Sequence, residues 1–120
     1  MRTAEETAIL TALLLKRANE KRARVSTKTI RRLSQRRTIR RAFLDMLEQH
    51  LDDLGVILIE LDRGGYGLIA ASTLDGARAV TAKKFLSKEL SALRDKAINF
   101  DRLRLEVEEE FVGGEEHEEE

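Results

Sequence analysis

At Gly55 the chain changes its period, and that change limits the folds open to it. Upstream, Ile39, Phe43, Met46, Leu47, Leu51 and Leu54 recur mostly at spacings of three and four, the apolar stripe of a helix. Downstream, Val56-Ile57-Leu58-Ile59-Glu60-Leu61 is β-branched and aliphatic and too short for another helix. Asp62-Arg63-Gly64-Gly65 separates it from Tyr66-Gly67-Leu68-Ile69-Ala70-Ala71, and two short runs joined by a glycine pair predict a β-hairpin. Gly55 itself suits the left-handed residue that closes a helix. A helix therefore feeds directly into a hairpin.

Two more helices are expected before that junction. Residues 4–24 read as the first, with Ala8, Ile9, Ala12, Leu13 and Leu15 on a wide apolar face that Leu10 and Leu14 extend. Val25 is a short extended residue, and the Ser26 hydroxyl caps a second helix. There Ile30 and Leu33 point inward while Lys28, Arg31 and Arg32 stay outside. Ser34-Gln35-Arg36-Arg37 makes a turn, and Thr38 is the expected N-cap of the third helix. After the hairpin, Ser72 or Thr73 caps a helix that meets no Gly or Pro from Ala77 to Val112. The fold class is mainly α with a small β-hairpin (α+β), ending in a long C-terminal helix. The expected divisions are a domain over 1–80, a helix over 81–112 and an acidic tail over 113–120.

That last helix carries a seam. Leu86, Leu90, Leu93, Ala97 and Phe100 run at spacings 4-3-4-3, and Val107 and Phe111 keep the register with Arg104 as the one failure. A heptad seam needs a partner helix, which makes these residues the expected dimerisation surface; packing back on the same domain is the alternative. Leu103-Arg104-Leu105-Glu106-Val107-Glu108 alternates with period two, so a strand is open there as well.

The charge is segregated. Lys+Arg and Asp+Glu both number 22, yet residues 16–41 hold twelve Lys/Arg and one acid, Glu20. Residues 101–120 hold ten Asp/Glu against two Arg, finishing in Glu115-Glu116-His117-Glu118-Glu119-Glu120. Clustered cations in a neutral chain point to a polyanion, with a solvated mixed-charge surface as the plainer alternative. On the third helix the order of charge opposes the macrodipole. Arg36, Arg37, Arg40 and Arg41 lie at its start and Glu48, Asp52 and Asp53 near its end, each exposed charge disfavoured by about 0.3–1 kcal/mol. Cations at a helix start suit phosphate and guanine edges; an Arg41–Asp45 pair is the local alternative.

Val25-Ser26-Thr27-Lys28 together with Leu47-Glu48-Gln49-His50-Leu51-Asp52-Asp53-Leu54-Gly55-Val56-Ile57 resembles winged helix-turn-helix regulators, whose third helix ends in Leu-x-x-Leu-Gly-Leu/Val-Ile. Tyr66-Gly67-Leu68 and Thr73-Leu74-Asp75-Gly76 are similar to the Tyr-x-Leu and Thr-x-x-Gly that follow the wing in MarR-like and PadR-like families. The resemblance covers roughly residues 5–85. It implies a third helix in the major groove of double-stranded DNA, with Gln35, Arg36, Arg37, Arg40 and Arg41 as groove and phosphate contacts. Lys28 and Arg32 become backbone contacts, and Arg63 sits at the wing tip, where an arginine suits a narrow minor groove. This wing is short and carries one cation, a departure that weakens wing-based readout.

Other classes find little support. Without Cys there is no disulfide, thiolate nucleophile or zinc-finger set, and no cofactor or metal is expected. His50 and His117 lack partners for catalysis, and Gly64-Gly65-Tyr66-Gly67 is wrongly placed for a phosphate loop, so no enzyme is expected. The apolar run 8–15 is too short for a signal peptide or for the ~20 residues of a membrane span. The few aromatics (Phe43, Tyr66, Phe85, Phe100, Phe111) favour duplex over single strands. The expectation is a cytoplasmic, nucleoid-associated homodimer that binds DNA as a transcription regulator. The alternatives are a protein–protein assembly module of the same fold and a DNA binder of low sequence preference.

Overall fold

The computed structural model describes residues 1–109 and divides the chain into two compact units, Met1–Ala77 and a second beginning at Arg78. The acidic tail over 113–120 and the Phe111 seam position lie outside the described residues. The first unit is α+β: α1 (Ala4–Arg17), β1 (Arg22–Val25), α2 (Thr27–Ser34), α3 (Arg41–Asp53), β2 (Val56–Glu60) and β3 (Tyr66–Ala70), closed by a 3-10 turn at Ala71–Leu74.

α1 opens with a capping box, Thr3 accepting from the Glu6 amide while Glu6 Oε1 accepts from the Thr3 amide. It ends at Arg17, well short of residue 24. Asn19 takes a left-handed backbone (φ 58), and the Glu20 and Asn19 amides return to the Leu15 and Lys16 carbonyls, satisfying the helix end. The residues freed by that stop become β1, the strand that sequence reasoning missed. Arg22, Ala23, Arg24 and Val25 pair antiparallel with Ile69, Leu68, Gly67 and Tyr66. The sheet order is β1-β3-β2, all antiparallel, with Leu58 opposite Leu68 and Val56 opposite Ala70.

The core forms where α1 and α3 pack on one side of this sheet. Ala8, Ile30, Leu47, Leu51 and Leu68 are fully or almost fully buried, joined by Phe43, Leu44, Leu58 and Tyr66. The phase of α3 differs from expectation at three places. Leu44 is buried instead of Met46, and Met46 and Leu54 are each 49% exposed. Thr38 does not cap the helix; Arg40, with an extended backbone, is the N-cap while Ile39 packs partly on the core, and the helix begins at Arg41. Ser26 does cap α2, accepting from the Thr29 amide at 3.0 Å. Leu33 of α2 is only half-buried.

The hairpin tip is fixed by sterics. Gly64 and Gly65 have φ of +97° and +79°, but a Cβ on Gly65 would lie 2.8 Å from the Val25 carbonyl oxygen, whereas one on Gly64 would meet nothing within 4 Å. Gly64→Ala is expected to cost about 1–2 kcal/mol of backbone strain, and Gly65→Ala about 3 kcal/mol or more. Urea unfolding of the two variants checks this; equal losses would contradict the close approach of the tip to β1.

The second unit departs from the single long helix expected. It holds α4 (Ala82–Phe85), α5 (Ser87–Arg94) and α6 (Phe100–Glu108). Thr81, not Ser72 or Thr73, caps α4, accepting from the Lys84 amide. α5 stops because Lys96 turns left-handed (φ 56), the Ala97 and Lys96 amides returning to the Ala92 and Leu93 carbonyls. Asn99 then starts α6, its Oδ1 accepting from the Asp101 and Arg102 amides. Residues 102–108 are thus helix, not strand. The five seam residues do not share one helix: Leu86 lies at the α4–α5 junction, Leu90 and Leu93 on α5, Ala97 beyond its end and Phe100 at the start of α6. All five are exposed, Phe100 by 64%. Among the described residues no helix is long and apolar enough to cross a membrane.

Candidate nucleic-acid interface

The first unit carries fourteen Lys/Arg against ten Asp/Glu. The excess gathers on α2 and on the turn that joins it to α3. In α2, burial of Ile30 and Ser34 leaves Lys28, Arg31 and Arg32 on the exposed side. Arg37 and Arg40 follow in the turn, both exposed. Among the described residues none of these five side chains makes an ion pair or hydrogen bond. Five exposed cations without acidic partners over thirteen residues leave their full charge to an external ligand.

α3 begins beside them. Its N-cap, Arg40, supplies no side-chain hydrogen bond, so the first amides of the helix keep their positive end of the dipole uncapped. Arg40 Nη atoms and these amides offer donors only, the set that meets phosphate oxygens.

Three of the residues expected at the interface are employed elsewhere. Arg36 is half-buried; its guanidinium lies 4.0 Å above the Phe43 ring and its Nη2 donates to the Arg2 carbonyl at 2.9 Å. Arg41 Nη2 donates to Glu60 Oε1 at 2.8 Å, and Nη1 lies 3.7 Å from Asp45 Oδ1. The Glu60 hydrogen bond, then its charge, raises the pKa of this guanidinium above the ordinary arginine value. Its positive charge is already answered within the fold. Gln35 sits at the left-handed stop of α2 (φ 57), with the Arg36 amide returning to the Arg31 carbonyl; its backbone has a structural task while its side chain stays exposed.

The hairpin tip adds a second group. Arg63 is exposed there, and an open depression of about 790 Å³ between the tip and the start of α2 is lined by Arg24, Ser26, Thr27 and Arg63 among others. Arg24 is the residue that sequence reasoning passed over. The available signal was the alternation Arg22-Ala23-Arg24-Val25, which places both arginines on the same outward side of β1. Arg31, placed outside the second helix but not among the contacts, also belongs to the exposed group.

The exposed side of α3 itself is of opposite sign. Asp45, Glu48, Asp52 and Asp53 are all exposed on it, alongside Met46 and Gln49. Among the described residues no group of three or more His, Cys, Asp or Glu is arranged to hold a metal. Away from the basic face, an apolar groove of about 620 Å³ runs along α1 and the end of α3, with Ile9, Leu13, Leu54 and Val56 in its lining. No protein-family model, curated protein or solved structure matches the chain.

Proposed function

We propose that the first unit is a winged helix-turn-helix domain that binds double-stranded DNA without catalysing a reaction, as a cytoplasmic, nucleoid-associated transcription regulator acting as a homodimer. The observation that carries this reading is the set of exposed, unpaired cations Lys28, Arg31, Arg32, Arg37 and Arg40 on α2 and the turn before α3. The element order α1-β1-α2-α3-β2-β3 with sheet order β1-β3-β2 supports it, since it sets a short three-stranded sheet and its hairpin beside a two-helix segment. For the dimer, the support is the exposed apolar set Leu86, Leu90, Leu93 and Phe100, spread over separate short helices.

A second reading, duplex binding with little sequence preference, draws on the acidic side of α3. Four carboxylates facing a phosphate-lined groove oppose deep insertion, leaving backbone contacts to dominate. The assembly-module alternative draws on the apolar groove beside α1.

Titration of random and genomic duplex at two salt concentrations separates them, with mass measured on the same sample by light scattering. With about six phosphates neutralised, affinity is expected to fall about 10³-fold between 50 and 200 mM salt. A large ratio between genomic and random duplex selects the regulator, and equal affinities select the low-specificity binder. Absence of binding leaves the assembly module, and a monomeric mass at micromolar concentration removes the homodimer.

A further inference from the structure

The residues that tie down Arg36 begin at the other end of the unit. Arg2 reaches the last turn of α2: its amide donates to the Ser34 carbonyl at 2.9 Å and its Nη1 to the Leu33 carbonyl at 3.1 Å. These carbonyls lie where a helix has unsatisfied acceptors and the negative end of its dipole, so a guanidinium is well placed there. The Arg2 carbonyl in turn accepts from Arg36 Nη2, and the Arg36 guanidinium lies over the ring of Phe43, in the first turn of α3 and 4% exposed. The chain Arg2–Arg36–Phe43 thus joins the end of α2 to the start of α3 across the turn they enclose.

The arrangement carries a cost that an exposed arginine would avoid. Arg36 Nε is buried without a hydrogen-bond partner. What the cost secures is the pose of the segment 35–41. Gln35 holds the left-handed stop, Arg36 is held by the Phe43 ring and the Arg2 carbonyl, and Arg37 and Arg40 project from the backbone between anchor and helix.

We propose that Arg2 and Arg36 are positioning residues: together they brace the α2–α3 turn so that Arg37 and Arg40 are presented to DNA phosphates, and neither touches the DNA. This rests on the DNA-binding reading above. Without the brace the turn samples other poses, and affinity falls by the fraction of time spent in the competent one, so a turn competent one-tenth of the time binds about tenfold more weakly.

The salt dependence of duplex binding distinguishes a brace from a contact. Each lost phosphate contact lowers the slope of log K against log salt by about one. Arg37→Ala and Arg40→Ala are expected to do so. Arg36→Ala is expected to weaken binding about tenfold at every salt concentration with the slope unchanged. Arg36→Lys keeps the charge but replaces the guanidinium, which both covers the Phe43 ring and reaches the Arg2 carbonyl, with a compact ammonium, so it should be as weak as Arg36→Ala; recovery of affinity in the lysine variant would overturn the proposal, as would a slope reduced by one in Arg36→Ala. Arg2→Ala, which keeps the Arg2 backbone bonds and the Arg36 charge, guards against simple unfolding and should show the same loss at constant slope; unchanged affinity would overturn its part.

A readout without DNA separates this from failure of the functional reading. In the free protein the Arg36 Nε–Hε resonance should be displaced by the Phe43 ring current and return toward the free-arginine position in Arg2→Ala. A free-arginine position in the wild-type protein would overturn the brace whatever the DNA result. A displaced resonance in a protein that binds no duplex would keep the brace as part of the fold and overturn its role in presenting Arg37 and Arg40.

Discussion

Duplex binding is expected to fall about 10³–10⁴-fold at about 100 mM salt when Lys28, Arg32, Arg37 and Arg40 are all replaced by alanine. All four side chains are exposed and unpaired, so removing them breaks nothing inside the fold. Each cation that neutralises a phosphate releases condensed counterion, and losing four such contacts removes about 3.6 from the slope of log K against log salt. Circular dichroism should be unchanged, because Ile30 and Ser34, which seat α2 on the core, are kept. Arg41 supplies the contrast. Its charge is already opposed by Glu60 and Asp45, so Arg41→Ala should change affinity far less than any of the four. A folded quadruple variant with undiminished binding would place the interface elsewhere.

The largest loss of stability is expected from Leu47→Ala. Leu47 is wholly inaccessible, at the centre of α3 where it meets α1 and the sheet, and truncation leaves a cavity that close-packed neighbours fill only in part. The cost should be about 2–5 kcal/mol. At about 4–8 °C per kcal/mol for a unit of this size, the midpoint of thermal unfolding should drop roughly 8–40 °C. Met46, one residue earlier and 49% exposed, should lose less than about 1 kcal/mol on the same change. Comparable losses at the two positions would mean that α3 presents a different face to the core.

Which parts of this fold can be read from its residues depends on how each element stops. Gly55 ends α3 with a left-handed residue that announces itself (φ +81), and the hairpin behind it follows from period and glycines alone. Asn19, Gln35 and Lys96 do the same work at the ends of α1, α2 and α5, in a conformation that disfavours side chains. Gln35 falls within the turn expected at residues 34–37, but neither Asn19 nor Lys96 is a glycine that announces a stop, and that is why α1 was expected to run on to residue 24 and residues 77–112 to form one helix. β1 was hidden behind the first of these. Four residues with two arginines become a strand because β3 offers them a partner, and that pairing lies more than forty residues away.

The candidate interface divides similarly. Its sign and location follow from the composition of residues 16–41, which any fold would have to place somewhere. Which arginines remain available does not. Arg36 is taken by residue 2 and Arg41 by residue 60, contacts that only the packed structure creates.

The opposed charges of α2 and α3 also govern how the protein behaves towards copies of itself. With a sequence pI near 6.8 the chain has almost no net charge at neutral pH, so no long-range repulsion holds molecules apart. Each molecule nevertheless offers one cationic and one anionic surface on a single unit. At low ionic strength such patchy particles attract head to tail, and added salt weakens the attraction as the Debye length shrinks from about 30 Å at 0.01 M to about 8 Å at 0.15 M. The osmotic second virial coefficient should therefore be negative in dilute buffer and rise with salt. The protein should salt in, becoming more soluble where many neutral proteins become less so.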